Sequence, residues 1–534
     1  MKTNILLSSA ILLLFIIILF LTYAPVTRGH YLSAEDYGYV WVRKAKTVNS
    51  QSYIDNLREI VWEGRPLETL YTYLIFNKYI NALRSIEAAN TARLIGVIGT
   101  GLLAYVMFLI FKINRFRTDH AFLLGILICT LPPIQTYVSM VYTVIFVFSV
   151  LLSALSALIL FKAVFREDKQ NNTAHITISV LIAMILFIIS LNIYQPTAMI
   201  YWAMAVTPLI IKDENFTKKR LLFFTIYFSA GFASMLIYMG ITKIIGLQLN
   251  AGLSYRGAFI NRGEIYERII WFINYPLYGA LNLWNIFPAK RVALFVSILI
   301  VSGMLYGFGH AVFQIITKKK RWIFLWRHFI ILPLIPLSFL PNILAVNLNQ
   351  LVPLHRYLIA LEIILLLLLY WSLINIADIF KSAFNFSANP QNKIISIGLI
   401  TLTVIVTFLA NHNVDKYFSD LHTKELKYIK NIIQEYGASN LSKASCVFVI
   451  KPDKHSLYEF GVLSSLGDVG STFMVRLALY ELGINSDIQV EPISFIDQPN
   501  WQLPKDSNVF VIDMRKFLRQ ALNPNEFVVY KEAL

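Results

Sequence analysis

The feature that most constrains this chain is a succession of long apolar runs, each near the length that crosses a bilayer. A transmembrane helix needs about 20 mostly apolar residues. Runs of that kind fall near 5–24, 92–111, 121–138, 140–161, 174–193, 195–211, 221–245, 292–316, 329–346, 354–377 and 394–411. They predict an α-helical polytopic membrane protein with about 11 transmembrane helices. Only 15% of the residues are charged, against roughly 25% in a soluble domain. That shortfall excludes a soluble fold and a disordered chain. Two cysteines, Cys129 and Cys446, are too few for a disulfide scaffold.

Two runs need separate reading. The stretch near 269–288, with Trp271, Tyr275, Pro276, Trp284 and Pro288, is aromatic and proline-interrupted, so it reads as interfacial or re-entrant. The first run has an apolar core from Ile5 to Leu21, longer than a signal-peptide core, and Pro25 follows its small-residue exit. It reads as a retained signal-anchor helix.

Net charge is +16, which raises the question of nucleic acid. The distribution answers it. Basic residues gather in alternate loops: Lys112/Arg115/Arg117, Lys162/Arg166/Lys169, Lys212/Lys218/Lys219/Arg220, Lys318 to Arg321 with Arg327, and Lys381/Lys393. The positive-inside rule puts these loops and the N-terminus in the cytoplasm. The opposite loops are charge-balanced or uncharged. The excess is therefore a topology signal, and no nucleic-acid partner is expected.

An odd number of spans sends the C-terminus outside. Residues 1–412 form the expected membrane domain, with a first external loop over 25–91. The tail, 413–534, holds 13 basic and 15 acidic residues. Its alternation of helical and β-like runs, Asp415 to Tyr436, Cys446 to Ile450, Ser471 to Leu482, Ile488 to Ile496 and Val509 to Met514, predicts a small external α/β domain. No internal repeat or zinc-type Cys/His spacing occurs.

Chemistry-bearing residues lie at the outer ends of spans. Glu35 and Asp36 stand about ten residues beyond the first span, at headgroup depth. There they suit a general base beside a lipid-linked phosphate, or Asp36 caps a short surface helix. Glu63-Gly64-Arg65-Pro66 fixes a guanidinium in a turn, for phosphate recognition or for an internal salt bridge to Glu63 or Asp36. Tyr194-Gln195 ends the fifth span, as ligands or as an aromatic-belt anchor. Pro353-Leu354-His355-Arg356 opens the tenth, where Arg356 is either functional or snorkelling. Arg93 reads as a snorkelling anchor. Glu362 and Asp378 read as helix-packing or inner-rim residues, and Arg256, Arg262, Glu264, Glu267 and Arg268 as a solvated mixed-charge loop that could serve as a lid.

Taken in order, Glu-Asp-Tyr-Gly after the first helix, Trp-x-Gly-Arg-Pro-Leu, Tyr-Gln and Pro-x-His-Arg resemble the Gtr-type serotype-converting glucosyltransferases. The resemblance covers roughly residues 1–412. It implies a GT-C-like architecture in a bacterial inner membrane. The implied activity moves a sugar, glucose by family expectation, from a polyprenyl-phosphate carrier to a lipid-linked O-antigen polysaccharide at the periplasmic face.

The resemblance assigns catalysis to Asp36 with Glu35 as partner or alternate, and donor-phosphate binding to Arg65 and Arg356 helped by His355. Substrate binding falls to Tyr37, Tyr194 and Gln195. The family often has two aspartates followed by an arginine, whereas this chain has Glu35-Asp36 and then Tyr39, which leaves the identity of the base open. No metal or other cofactor is expected, and the oligomeric state is not addressed. Two alternatives stand beside this reading: a flippase or transporter of lipid-linked saccharides, and another cell-envelope GT-C transferase or polysaccharide polymerase.

Overall fold

A computed structural model describes residues 2–33, 36–38, 61, 63–71, 86–165, 173–210, 218–248, 260–287, 289–318, 323–345, 355–384, 388–441, 443–452, 464–466, 468–484, 488–494 and 508–521. Seven helices in it are long and apolar enough to cross a membrane, and a bent pair makes an eighth. The seven are Ile86–Ile113, Val144–Phe165, Thr173–Ile193, Arg220–Gln248, Lys290–Thr317, Ile359–Ile379 and the apolar part of Lys393–Tyr436. Large apolar side chains such as Leu236, Leu247, Ile316 and Phe408 are exposed on their outer faces, as a lipid solvent allows.

Four of the eleven apolar runs are shorter, bent or broken among the described residues, 121–138 being the bent pair. The first and the ninth contain shorter apolar helices, Leu6–Thr22 and Arg327–Leu337. The run 195–211 is broken into Gln195–Ala198, Ile200–Met204 and Thr207–Ile210. Pro196 starts the first piece and Pro208 lies in the third, and each proline lacks the N–H that a continuous ladder would use. Such backbone is tolerated at membrane depth only when it is buried in protein, and Tyr201, Trp202 and Met204 are buried. Serines of the neighbouring span satisfy it: Ser153 Oγ donates to Ala198 O at 2.6 Å and accepts from Tyr201 N at 2.9 Å. The aromatic stretch after 265 runs as Ile265–Phe272, a wide turn Ile273–Leu277 and Tyr278–Ala280, too short to span.

The bent pair is Thr118–Cys129 and Pro132–Ser139, at 57°. Pro132 and Pro133 open the second helix, where a missing N–H costs nothing. Between that helix and Val144–Phe165 lies a turn whose backbone is caught by side chains. Thr143 Oγ1 donates to Met140 O at 2.9 Å, and the amides of Val141 and Tyr142 donate to Asp36.

Small residues let the spans approach closely. A Cβ on Gly303 would stand 2.2 Å from Ser372 Cβ. Ser149 and Ser190 hydroxyls meet at 2.9 Å between Val144–Phe165 and Thr173–Ile193.

The tail continues the last span. A wide turn at Asp415–Asp420 carries the helix into Leu421–Tyr436. Beyond it a three-stranded parallel sheet has the order β2-β1-β3, with β1 Cys446–Ile450, β2 Gln489–Ile493 and β3 Val509–Asp513. The register pairs Cys446 with Gln489 and with Val509. β1 is central and buried along its whole length, as its unbroken apolar run requires. Helix Asp468–Glu481 crosses between strands.

The tail's core is continuous with the segment that follows the first helix. Leu32, Tyr37, Ile86, Ala89 and Val141 share one buried cluster with Leu426, Ile429, Val447, Val449 and Met474. Polar contacts reinforce the junction. Glu425 accepts from the backbone amides of Ser464 and Ser465 at 3.0 and 2.9 Å, and the His422 ring stacks on Tyr31 at 5.8 Å. Arg93 corrects the snorkelling expectation. It is fully buried, its guanidinium lies 3.8 Å over the Tyr31 ring, and it donates to Ser139 O at 3.0 Å and Tyr31 O at 2.9 Å.

Candidate active site

Motifs separated by up to about three hundred residues in the chain meet at one end of the bundle. The local chain at 63–66 explains half of the meeting. Gly64 has φ of 80°, a left-handed conformation that favours glycine, and Pro66 then begins the helix Pro66–Tyr71. The turn is held from outside. Gln195 Nε2 donates to Gly64 O at 2.8 Å, and Tyr238 Oη donates to the same oxygen at 2.9 Å. A Cβ on Gly64 would lie 2.5 Å from Tyr238 Oη and 2.8 Å from Gln195 Nε2. The Gly-Arg-Pro turn and the Tyr-Gln end of the fifth span therefore clasp one another.

This clasp positions Arg65. Its guanidinium carbon sits 4.6 Å above the Tyr194 ring, and its Nη1 forms ion pairs with Glu63 at 3.3 Å and Glu68 at 3.5 Å. The internal salt bridge to Glu63 is thus present, alongside a cation–π contact. Tyr194 is itself stacked on Phe146 at 4.0 Å, which fixes the plate on which the arginine rests.

Arg356 supplies the other half, from a turn His355–Tyr357 ahead of the span that begins at Ile359. Its carbonyl accepts from Tyr137 Oη. Its Nη1 donates to Tyr142 Oη at 2.5 Å and its Nη2 to Tyr357 Oη at 3.4 Å. The Tyr194 and Tyr357 rings lie 6.3 Å apart. The Arg356 guanidinium lies 5.3 Å over the Tyr357 ring, so two neighbouring tyrosines link the two arginines.

Asp36 belongs to the same network through Tyr142. Its carboxylate is completely buried and accepts four hydrogen bonds. They come from Ser33 Oγ at 2.8 Å, Ser33 N at 3.3 Å, Val141 N at 3.1 Å and Tyr142 N at 3.0 Å. The backbone of Tyr142 is thus held by Asp36 while its hydroxyl receives Arg356. Glu35 lies outside the described residues.

Two other expected residues point elsewhere. Tyr37 is buried in the cluster shared with the tail, away from the arginines. His355 is buried, and its Nε2 lies 3.1 Å from Ile286 O. Burial pushes its pKa down to about 4, against the pull of that carbonyl, so at neutral pH the ring carries no charge to offer a phosphate.

Glu68 is the residue sequence reasoning missed. It stands in the first turn of Pro66–Tyr71, is 6% exposed and faces Arg65. Burial lifts its carboxyl to about 7, with the Arg65 guanidinium pulling the other way. The signal available was spacing: a carboxylate three residues after an arginine, with proline between to start a helix, shares the arginine's face. Glu362 is buried in the first turn of its span. Arg268, expected in a solvated loop, is fully buried with its guanidinium 5.8 Å from the Trp271 ring. Arg256 lies outside the described residues. Among the described residues no group of three or more His, Cys, Asp and Glu side chains could hold a metal ion.

Fold and site together define a polytopic helical membrane protein with a small α/β unit docked on the segment after the first helix and two arginines converging nearby. No family model matches the chain, and no curated protein does. Among solved structures it is similar to the apo form of the Archaeoglobus fulgidus oligosaccharyltransferase, with 10% identity and a TM-score of 0.39, covering 89% of this chain and 69% of that one.

Proposed function

We propose that this chain is a membrane glycosyltransferase that takes a sugar from a polyprenyl-phosphate carrier and passes it to a lipid-linked O-antigen polysaccharide. The single observation that carries the reading is the meeting of Arg65, Tyr194, Gln195 and Arg356. Residues 65 and 356 are almost three hundred positions apart, yet Arg65 lies 4.6 Å over Tyr194, Arg356 lies 5.3 Å over Tyr357, and the two rings are 6.3 Å apart. Guanidinium geometry suits phosphate oxygens. A polyprenyl donor lies in the bilayer with its phosphate at headgroup depth, the depth at which spans end and these arginines begin. Glucose as the sugar, the periplasmic face of a bacterial inner membrane and the acceptor class follow the motif resemblance.

The reaction in this reading is direct displacement at the anomeric carbon. The acceptor hydroxyl oxygen bonds to that carbon, its proton passes to a carboxylate, and polyprenyl phosphate departs with the bonding pair. Arg65 and Arg356 neutralise the charge that grows on the departing phosphate. Substrate entry exchanges part of Arg65's pairing with Glu63 and Glu68 for phosphate oxygens. Tyr194 and Gln195 keep the guanidinium in place during that exchange.

The test is the surface polysaccharide of cells that carry the wild-type gene, an Arg65→Ala or an Arg356→Ala variant, or no gene. Sugar modification that needs the wild-type gene and is lost in both variants, at equal membrane abundance, supports the reading. Modification that is unchanged without the gene overturns it.

A further inference from the structure

Asp36 and Glu68 are two buried carboxylates of this neighbourhood, and their surroundings divide the work between them. Asp36 has four donors on two oxygens, two of them backbone amides of the turn that leads into Val144–Phe165. A carboxylate has roughly four acceptor positions, so a fifth partner, a substrate hydroxyl, would have to displace one of these bonds. Three of the four donors are buried backbone amides, and displacing any of them leaves an N–H unpaired. Asp36 is a positioning residue: it holds the backbone of Tyr142, whose hydroxyl receives Arg356.

Glu68 is placed differently. It rides on a helical turn started by Pro66, and its carboxylate reaches Arg65 at 3.5 Å. A phosphate drawing Arg65 toward itself would leave that carboxylate beside the reacting centre. Glu63 also pairs with Arg65, but it sits in the turn before the helix, whereas Glu68 is held on the helix itself.

Resting on the transferase reading, we infer that Glu68, and not Asp36, is the carboxylate that accepts the proton of the acceptor hydroxyl. The O–H bond of the acceptor breaks as its oxygen bonds to the anomeric carbon. The proton goes to a Glu68 oxygen, and the carbon–oxygen bond to the polyprenyl phosphate breaks with its electrons on the phosphate. Burial also tunes Glu68 for the task, since its carboxyl titrates at about 7 and an effective base has a pKa near the working pH. The proton returns to solvent once polyprenyl phosphate has left.

The experiment measures kcat/KM against pH for the full-length protein in nanodiscs. The donor probe is polyprenyl-phosphate glucose labelled in the sugar, and the acceptor is host membrane carrying lipid-linked polysaccharide. Wild type should show an acidic limb near pH 7, because a base must be deprotonated to work. Glu68→Gln should lose about 100-fold or more in turnover and lose the acidic limb, with donor affinity retained. Glu68→Asp should restore part of the rate and move the limb. Glu63→Gln should keep the limb.

Glu68→Gln with wild-type turnover and an unchanged limb, beside an active wild type, overturns the assignment and leaves the transferase reading standing. A wild type that transfers no sugar overturns both. An Asp36→Asn protein that is as stable as wild type, with turnover lowered about 100-fold or more and the acidic limb gone, returns the base to Asp36.

Discussion

Replacing Asp36 separates a carboxylate that holds backbone from one that does chemistry. In the folded protein it receives the buried amides of Val141 and Tyr142 at 3.1 and 3.0 Å, and Ser33 through both its hydroxyl and its amide. Hydrogen bonds to a charged group contribute about 1.5–3 kcal/mol each. Asp36→Ala removes the acceptor for three backbone amides at once, and the bonds from Val141 and Tyr142 alone account for a loss of about 3–6 kcal/mol. Asp36→Asn keeps one oxygen and turns an N–H toward the second amide, so about half of that is lost.

The assay uses the protein's own cysteines. Cys129 is buried in the bundle and Cys446 in the tail, so a thiol-reactive dye reports unfolding during a temperature ramp. The expected order of unfolding temperature is wild type, then Asp36→Asn, then Asp36→Ala. Identical curves for all three would refute the reasoning, because four real hydrogen bonds cannot be removed from a sealed site without cost.

Other consequences follow from single contacts. Gly64→Ala forces a side chain onto a φ of 80° and a Cβ within 2.5 Å of Tyr238 Oη. It should abolish sugar transfer while membrane insertion, read by protease protection, stays normal. His355 has a folded pKa of about 4, below its unfolded value of about 6.5, so its contribution is full above pH 6.5 and lost as pH falls toward 4. His355→Gln should therefore flatten the fall in unfolding temperature across that window, and an equally steep fall would count against the burial of His355. Gly303→Val puts its Cβ 2.2 Å from Ser372 Cβ and should separate Lys290–Lys318 from Ile359–Phe384. Wild-type yield of monodisperse protein would contradict that close approach.

What could be read from the chain, and what could not, follows from the physics of each feature. Hydropathy registers composition over some twenty residues, so the apolar runs were legible. It is blind to continuity, which is why 195–211 looked like one span although Pro196 and Pro208 break it into three buried pieces. Arg65, Tyr194, Gln195 and Arg356 stood out because polar groups at span ends are costly, and the structure brings those four together. Arg93 carried the same signal, but its partners Tyr31 and Ser139 lie 62 and 46 residues away, and nothing local distinguishes an anchored arginine from a snorkelling one. Glu68 was hidden for a different reason. Its charge looks ordinary in a loop, and only the helix begun at Pro66 turns it toward Arg65. The α/β character of the tail was legible from its alternating runs, whereas its shared core with Leu32 and Tyr37 depends on contacts no local pattern encodes.

The central claim is that Arg65 and Arg356, almost three hundred positions apart, serve one donor phosphate during sugar transfer. Its most direct test is the movement of labelled glucose from polyprenyl-phosphate glucose to lipid-linked polysaccharide by the purified protein, compared with Arg65→Ala, Arg356→Ala and the double variant. Arg356→Ala is expected to lose about 100-fold in turnover, as the removal of a charge-stabilising donor does. The double variant should fall by less than the product of the two single losses, because groups acting on one phosphate are not additive. Two losses that simply multiply would place the arginines at separate sites, and full activity in the double variant would contradict the account.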